Sequence, residues 1–281
     1  MEPVGAILFR WRKRQKLTGL QLGKRVGMSQ AKISRLETGA VAAEPGDVRL
    51  LAEALGVPPG EAELAIELAE HAGERLIEWV PAGRDQAERQ REIGRAEAAA
   101  KEIRILQPAV VPGLLQTSEY ARAVLSAHEG RAATGSNDAA VTEAVIARQE
   151  RNRILHSPAR EFHFLITEQV LRVGVGGPAV MISQIDRMRE VAGFPNVRLS
   201  VITDEAELPI PIYHGFFVAD DRWVSVDLFT ALLRATGRTI VRDYRELFDQ
   251  LESAARSDID DLLDHYQARY VGALQPKSVA R

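Results

Sequence analysis

The 281-residue chain contains no cysteine, which excludes disulfide frameworks, cysteine-ligated zinc, haem attachment and thiol catalysis, and fits a reducing compartment. It also lacks any long apolar run. The longest uncharged stretch, residues 105–118, is interrupted by Pro108 and Pro112 and falls short of the ~18 apolar residues that a membrane span needs. The first apolar patch, residues 6–9, is too short for the core of a signal peptide and runs directly into Arg10, Arg12, Lys13 and Arg14. Neither secretion nor membrane insertion is expected, and the expected location is the cytoplasm. What is present is an ordinary globular composition, 46% hydrophobic and 27% charged with a mean hydropathy of −0.15, sufficient to bury a core. At roughly 150 residues per domain, the length suggests two domains.

The net charge of −3 conceals an uneven distribution. Residues 1–35 hold nine Lys/Arg against Glu2 alone, whereas residues 36–75 hold Arg49 and Arg75 against nine acids. A small basic surface bordered by acidic flanks suits contact with DNA by an otherwise near-neutral protein. A solvated helix face would carry the same charges, so the pattern needs a fold to give it meaning.

Apolar residues in the first 60 positions recur with helical period: Ile7, Leu8 and Trp11, then Leu22 and Val26, then Ile33 and Leu36, then Val48, Leu51, Ala52 and Leu55. Thr18 and Ser29 are suited to N-caps, and Gly27 and Gly39 to C-terminal breakers. Pro58-Pro59-Gly60 separates the fourth helix from a fifth, expected from Glu61 to Trp79 with Leu64, Ala65, Leu68, Ala72 and Leu76 on one stripe. Between the second helix (18–26) and the third (29–38) lie only Gly27 and Met28, a turn short enough to force a steep crossing.

The run Thr18-Gly-Leu-Gln-Leu-Gly-Lys-Arg-Val-Gly-Met-Ser-Gln-Ala-Lys-Ile-Ser-Arg-Leu-Glu-Thr-Gly39 resembles the helix-turn-helix of the Xre/Cro family of DNA-binding regulators, with the resemblance extending over residues 1–70. Two positions depart from that pattern. Gly19 stands where the family often has a phosphate-gripping glutamine, and Gly23 stands where alanine is common, a change that costs a helix about 1 kcal/mol. The resemblance further implies a partly buried ion pair between Arg12 and Glu37.

With Ser29 capping, the third helix presents Gln30, Ala31, Lys32, Ser34 and Arg35 away from Ile33 and Leu36. Such a helix enters the major groove with its N-terminal side chains at base edges. Gln30 can bond adenine, Ala31 can touch a thymine methyl, and Arg35 can fork onto guanine. Lys32, Lys24, Arg25, Lys16 and Lys13 are assigned to phosphates, which fix register without reading sequence. Gln21 and Ser29 complete the set of expected DNA contacts.

The expected fold class is therefore an all-α five-helix helix-turn-helix domain over 1–80, a connecting helix over 81–100 and an α+β domain over 101–281. Residues 84–100 are charged and alanine-rich, with little apolar face beyond Ile93, and suit a connector or a dimer contact. Beyond Ile103, strands are expected at 102–106, 161–170, 197–203, 215–219 and 222–227, and helices at 117–125, 138–155, 178–192, 242–255 and 258–270. Residues 129–137 are polar and are the best internal candidate for disorder.

Within that domain, Val111-Pro-Gly-Leu-Leu-Gln-Thr-Ser-Glu-Tyr-Ala-Arg-Ala-Val124, Arg148-Gln-Glu-Arg-Asn-Arg-Ile-Leu155, Val173-Gly-Val-Gly-Gly-Pro and Asp243-Tyr-Arg-Glu-Leu-Phe-Asp-Gln-Leu251 resemble the C-terminal domain of actinobacterial Xre-type regulators. That domain is of unknown function and is often described as antitoxin-like. The resemblance implies a small cognate protein, encoded nearby, as a partner.

Few residues suggest catalysis. Gly174-Val-Gly176-Gly-Pro-Ala179 fits G-x-G-x-x-A after an expected strand, but Pro178 removes a backbone N–H where phosphate would want one, and a strand-to-helix turn with Pro at the first helical position explains every residue. Glu161 and His163 share one strand face without a third ligand, so neither a metal nor a cofactor is expected. Asp258, Asp260, Asp261 and Asp264 follow Ser257 as an acidic first turn. An enzyme is not expected. A binding surface is the remaining candidate: Pro209, Pro211 and Tyr213 in a proline-stiffened apolar loop, with Phe217 and Trp223 close by in sequence and Tyr120 beside the Pro112-Gly113 turn. These residues suit a ligand pocket, a partner seat or packed core.

The expected function is a sequence-specific, homodimeric transcriptional regulator of double-stranded DNA whose second domain receives a signal from a small protein. The alternatives are a one-component sensor of a small molecule and a nucleotide-handling enzyme tethered to DNA through the glycine turn.

Overall fold

The computed structural model describes residues 3–41, 43–72, 76–81, 85–129, 138–229 and 231–275. The chain divides into two compact units, Met1–Ile77 with Ala235–Arg242, and Glu78–Arg234 with Asp243–Arg281. The candidate disordered stretch after Glu129 lies outside the described residues.

Five helices build the first unit: α1 (Val4–Arg14), α2 (Gly19–Val26), α3 (Gln30–Thr38), α4 (Pro45–Leu55) and α5 (Pro59–Ala72). Their apolar stripes meet in one core of Ile7, Leu8, Trp11, Leu22, Ile33, Leu36, Val48, Leu51 and Leu55, with Ala65 and Ala69 from α5. Chain boundaries follow local chemistry. Thr18 caps α2 in a reciprocal capping box with Gln21, Ser29 accepts from the Lys32 N–H, and Gly27 and Gly39 end α2 and α3 with φ of 70° and 72°.

Two glycines are required here by close approach. A Cβ on Gly23 would lie 2.4 Å from the Met28 carbonyl oxygen, and one on Gly5 would lie 2.6 Å from the Glu37 carbonyl oxygen. The expectation that Gly23 costs stability relative to alanine is therefore corrected: the missing methyl is what lets the α2–α3 turn close. Gly23→Ala is expected to destabilise the first unit by about 1–3 kcal/mol, because the obstacle is backbone and cannot swing aside. Urea unfolding of the full chain checks the sign, and a stabilised variant would contradict it.

The fifth helix, expected to reach Trp79, stops at Ala72, and Leu76–Pro81 forms a strand, β1. Ile77, Trp79 and Val80 are residues of high strand propensity, and sheet pairing overrides the helical spacing of the preceding stripe.

The second unit is α+β. In chain order it contains α6 (Gln86–Ala98), β2 (Glu102–Gln107), α7 (Ser118–Glu129), α8 (Asp138–Arg151), β3 (Glu161–Thr167), α9 (Gln169–Arg172), α10 (Pro178–Ala192), β4 (Val197–Ile202), β5 (Phe216–Ala219), β6 (Trp223–Asp227), β7 (Ala231–Ala235), α11 (Arg238–Glu252) and α12 (Asp260–Leu274). The sheet runs in the order β1-β7-β6-β5-β2-β3-β4. Strands β2, β3 and β4 are parallel, as their helical crossovers require, whereas β5 is antiparallel to both β2 and β6.

Alternation along the strands sends Ile103, Ile105, Phe162, Phe164, Ile166, Leu199 and Val201 into a core completed by Met181, Ile185 and Met188 of α10 and Leu263, Tyr266 and Tyr270 of α12. On the opposite face Phe248 of α11 meets the Phe216 ring edge-on. The expected strand over 161–170 ends at Thr167, where α9 begins. β7 was not expected from sequence.

The sequence predicts a connecting helix over residues 81–100. Their helix, α6, belongs to the second unit and packs along α8. Its buried residues are Ala87, Gln90 and Glu97, so the contact face is polar and small rather than apolar. Arg160 donates to the carbonyls of Glu97, Ala98 and Ala100, and Arg222 donates to that of Ala99, so two distant arginines satisfy the last turn of α6.

Candidate nucleic-acid interface

The basic amino-terminal sequence acquires a defined geometry on α2 and α3. Ile33 and Leu36 are buried, and the other side of α3 carries Gln30, Ala31, Ser34 and Arg35 exposed at i, i+1, i+4 and i+5, one continuous face. The Arg35 Nε donates to the Ala31 carbonyl, which lays the guanidinium along the helix. Lys13, Lys16, Lys24 and Arg25 are exposed. Lys16 ends the α1 turn with φ of 53°, in the left-handed region.

Three expected contacts have structural partners. Ser29 is the α3 cap, the Gln21 side chain accepts from the Thr18 N–H in the capping box, and the Lys32 ammonium donates to Asp47 Oδ1 at 2.9 Å. Asp47, from the first turn of α4, is a residue that sequence reasoning missed. Fifteen positions separate it from Lys32, and no spacing rule joins two helices across a loop. Arg12 and Glu37 form the expected pair, with Arg12 Nε and Nη2 each 2.6 Å from a separate Glu37 oxygen. Glu61 gathers Trp11, Arg14 and Arg10 at the opposite helix, and the Trp11 indole N–H holds its carboxyl below the usual carboxylate range, with the arginine charges adding to the effect.

In the second unit, the six residues expected as a ligand or partner surface do not converge. Tyr120 is fully buried, its phenol accepting the Val111 N–H while burial pushes it up to about 12. Phe217 stacks on Trp223 at 4.8 Å, Arg234 lies over the Trp223 ring, and both aromatics pack against the main core. Pro209, Pro211 and Tyr213 are exposed, Tyr213 to 87%, so the loop that carries them is neither core nor the lining of an enclosed cavity. His214, next in the chain, faces Tyr244, with its Nε2 3.4 Å from the phenol.

A model of helix-turn-helix domains matches residues 4–65, and a model of the domain of unknown function DUF5753 matches residues 90–260. The chain belongs to the DUF5753 family. It carries a helix-turn-helix, a DNA-binding module, ahead of that domain. No curated protein and no solved structure matches it.

The DUF5753 match begins inside α6, in keeping with the placement of that helix in the second unit. Within the DUF5753 region the glycine turn follows the short helix α9 and not a strand, so the context that a dinucleotide fingerprint needs is missing. Gly176 and Gly177 have φ of 73° and 90°, and Pro178 occupies the first turn of α10. A third potential ligand does join Glu161 and His163: Glu102, from the neighbouring strand β2, brings three potential ligand atoms within 4.8 Å. Its carboxylate is held by Arg104 at 2.8 Å and Arg245 at 2.6 Å. The Glu102 carboxylate is thus part of an ion-pair network with two guanidiniums. Among the described residues, no helix is long and apolar enough to cross a membrane.

Proposed function

We propose that this DUF5753 protein is a sequence-specific transcriptional regulator of the Xre/Cro type that binds double-stranded DNA through α3. The observation that carries the proposal is the exposed Gln30, Ala31, Ser34 and Arg35 face, placed on a capped helix directly after a short turn, in a segment that also exposes Lys13, Lys16, Lys24 and Arg25. One such helix reads too few bases for useful discrimination, so the protein acts as a homodimer on two half-sites about one helical turn apart. It works in the cytoplasm, without a cofactor and without catalysis.

The second unit receives the controlling signal. We assign that signal to a small cognate protein, in an antitoxin-like arrangement, in preference to a small molecule. The exposed Leu208–His214 segment supports this choice, because a stiffened apolar loop standing in solvent offers contact to a protein surface but encloses nothing.

A fluorescence-anisotropy titration of the full chain tests the proposal, using a duplex selected from a random pool and a scrambled duplex at two salt concentrations. Arg35→Ala should weaken the selected duplex by about 1–3 kcal/mol and relax one base position, whereas Lys24→Ala should weaken both duplexes alike and flatten the salt slope by about one unit. Equal losses on both duplexes for both variants would overturn the division between base reader and phosphate anchor.

A further inference from the structure

We propose that Asp47 is a specificity-determining positioning residue, which holds the Lys32 ammonium against the flank of α3 and so withdraws it from the phosphate-neutralising set. This rests on the DNA-reading role given to α3 above. Lys32 lies in the first turn of α3, three residues before Arg35 and therefore on the same side of the helix. Its Nζ bonds Asp47 Oδ1 at 2.9 Å, and the Asp47 side chain is only 19% exposed against 42% for Lys32. A short, mostly buried carboxylate on a second helix fixes where the ammonium sits, unlike a pair of long exposed side chains.

An ammonium has three donors, and Asp47 takes one, which leaves two for acceptors in the groove. A phosphate could claim Lys32 only by competing with a bonded carboxylate. Lys13, Lys16, Lys24 and Arg25 carry no such ion pair among the described residues. Asp47 thus lowers the attraction that carries no sequence information at the very helix that reads bases.

The test uses the full chain, a duplex selected from a random pool and a random duplex, with affinity measured across a salt series. Asp47→Asn should bind the random duplex about three- to tenfold more tightly at low salt, steepen the salt slope by about one unit, and lose the same factor in discrimination. Lys32→Ala alone should leave the slope within about half a unit of wild type. The double variant should return to the Lys32→Ala slope, and Asp47→Glu, which keeps the carboxylate, should behave as wild type. Glu53→Gln, on the exposed side of α4, makes the same charge change away from Lys32 and serves as the control.

Loss of a merely structural Asp47 would lower the melting temperature without coupling its salt slope to Lys32. A slope flattened by a full unit in Lys32→Ala alone would overturn the assignment, as would Asp47→Asn and Glu53→Gln behaving alike. Failure of the wild-type chain to bind either duplex in a salt-sensitive way would overturn the DNA-reading role and this assignment together. Normal discrimination with uncoupled Asp47 and Lys32 would overturn this assignment alone.

Discussion

Glu37→Ala is expected to lower the stability of the first unit by about 3–5 kcal/mol, a large part of what a small domain possesses. Arg12 and Glu37 have side chains only 10% and 7% exposed, and the guanidinium meets both carboxylate oxygens while its remaining Nη1 donates to the Leu17 carbonyl. Each of the three guanidinium nitrogens makes a hydrogen bond, which favours burying such a pair. Removing the carboxylate leaves a buried cation without its counter-charge, so the loss reflects the stranded Arg12 more than the bond itself. The Glu37 hydrogen bond holds the Arg12 pKa above its ordinary value. A raised pKa gives stability that is present below the ordinary value and lost only as pH rises past the folded one, so this contribution persists across the whole neutral range. Arg12→Met with Glu37→Leu should recover most of the loss, since neither charge is then stranded. Hydrogen exchange of the α1 and α3 amides in the full chain measures both. A single-variant loss below about 1 kcal/mol would show that water reaches the pair.

Arg151→Ala should cost the second unit a similar amount, about 3–5 kcal/mol. Glu97 is 1% exposed and Arg151 8%, with Nε 2.9 Å and Nη2 2.6 Å from the two Glu97 oxygens and Nη1 bonded to Gln90. Gly94 makes the space, since a Cβ there would lie 2.9 Å from Arg151 Cγ. Arg148 shares the Gln90 oxygen and reaches Gln116, and burial pulls its pKa down to about 9. Removing Arg151 therefore strands Glu97 and breaks the polar layer between α6 and α8. Arg151→Lys should not rescue it, because an ammonium cannot fork onto both oxygens. Urea unfolding followed by exchange in α6 and α8 checks the prediction. Rescue by lysine would mean that charge alone matters there.

What could be read from sequence was chemistry that acts over a few residues. Thr18, Gly27, Ser29 and Gly39 marked the ends of α2 and α3 because caps and left-handed turns depend on immediate neighbours, and Pro178 fixed the start of α10 for the same reason. What escaped was decided across the fold. Ala-Leu-Leu-Arg-Ala has good helix propensity yet forms β7, because sheet pairing outweighs a few tenths of a kcal/mol per residue. α6 looked like a linker because its interface is built from Gln90, Glu97 and alanines, whose partners Arg148 and Arg151 lie more than fifty residues away. The candidate DNA face was legible residue by residue, but the pairing of Lys32 with Asp47 was not. Nor could spacing show that Tyr120 is core while Tyr213 is solvent-facing.

The wiring of β2 bears on how the chain is made. The amides of Lys101, just before the strand, and of Glu102, its first residue, both donate to the Asp220 carboxylate, and the Lys101 partner lies 119 residues further on. At cellular elongation rates that interval lasts roughly 6–24 s, during which the β5 side of a central strand has no native partner. The five-helix unit ahead of it closes its core from residues within its first 69. A nascent chain therefore holds a complete helix-turn-helix well before the second unit can form, which makes the second half of synthesis the period of greatest exposure to aggregation and to chaperones.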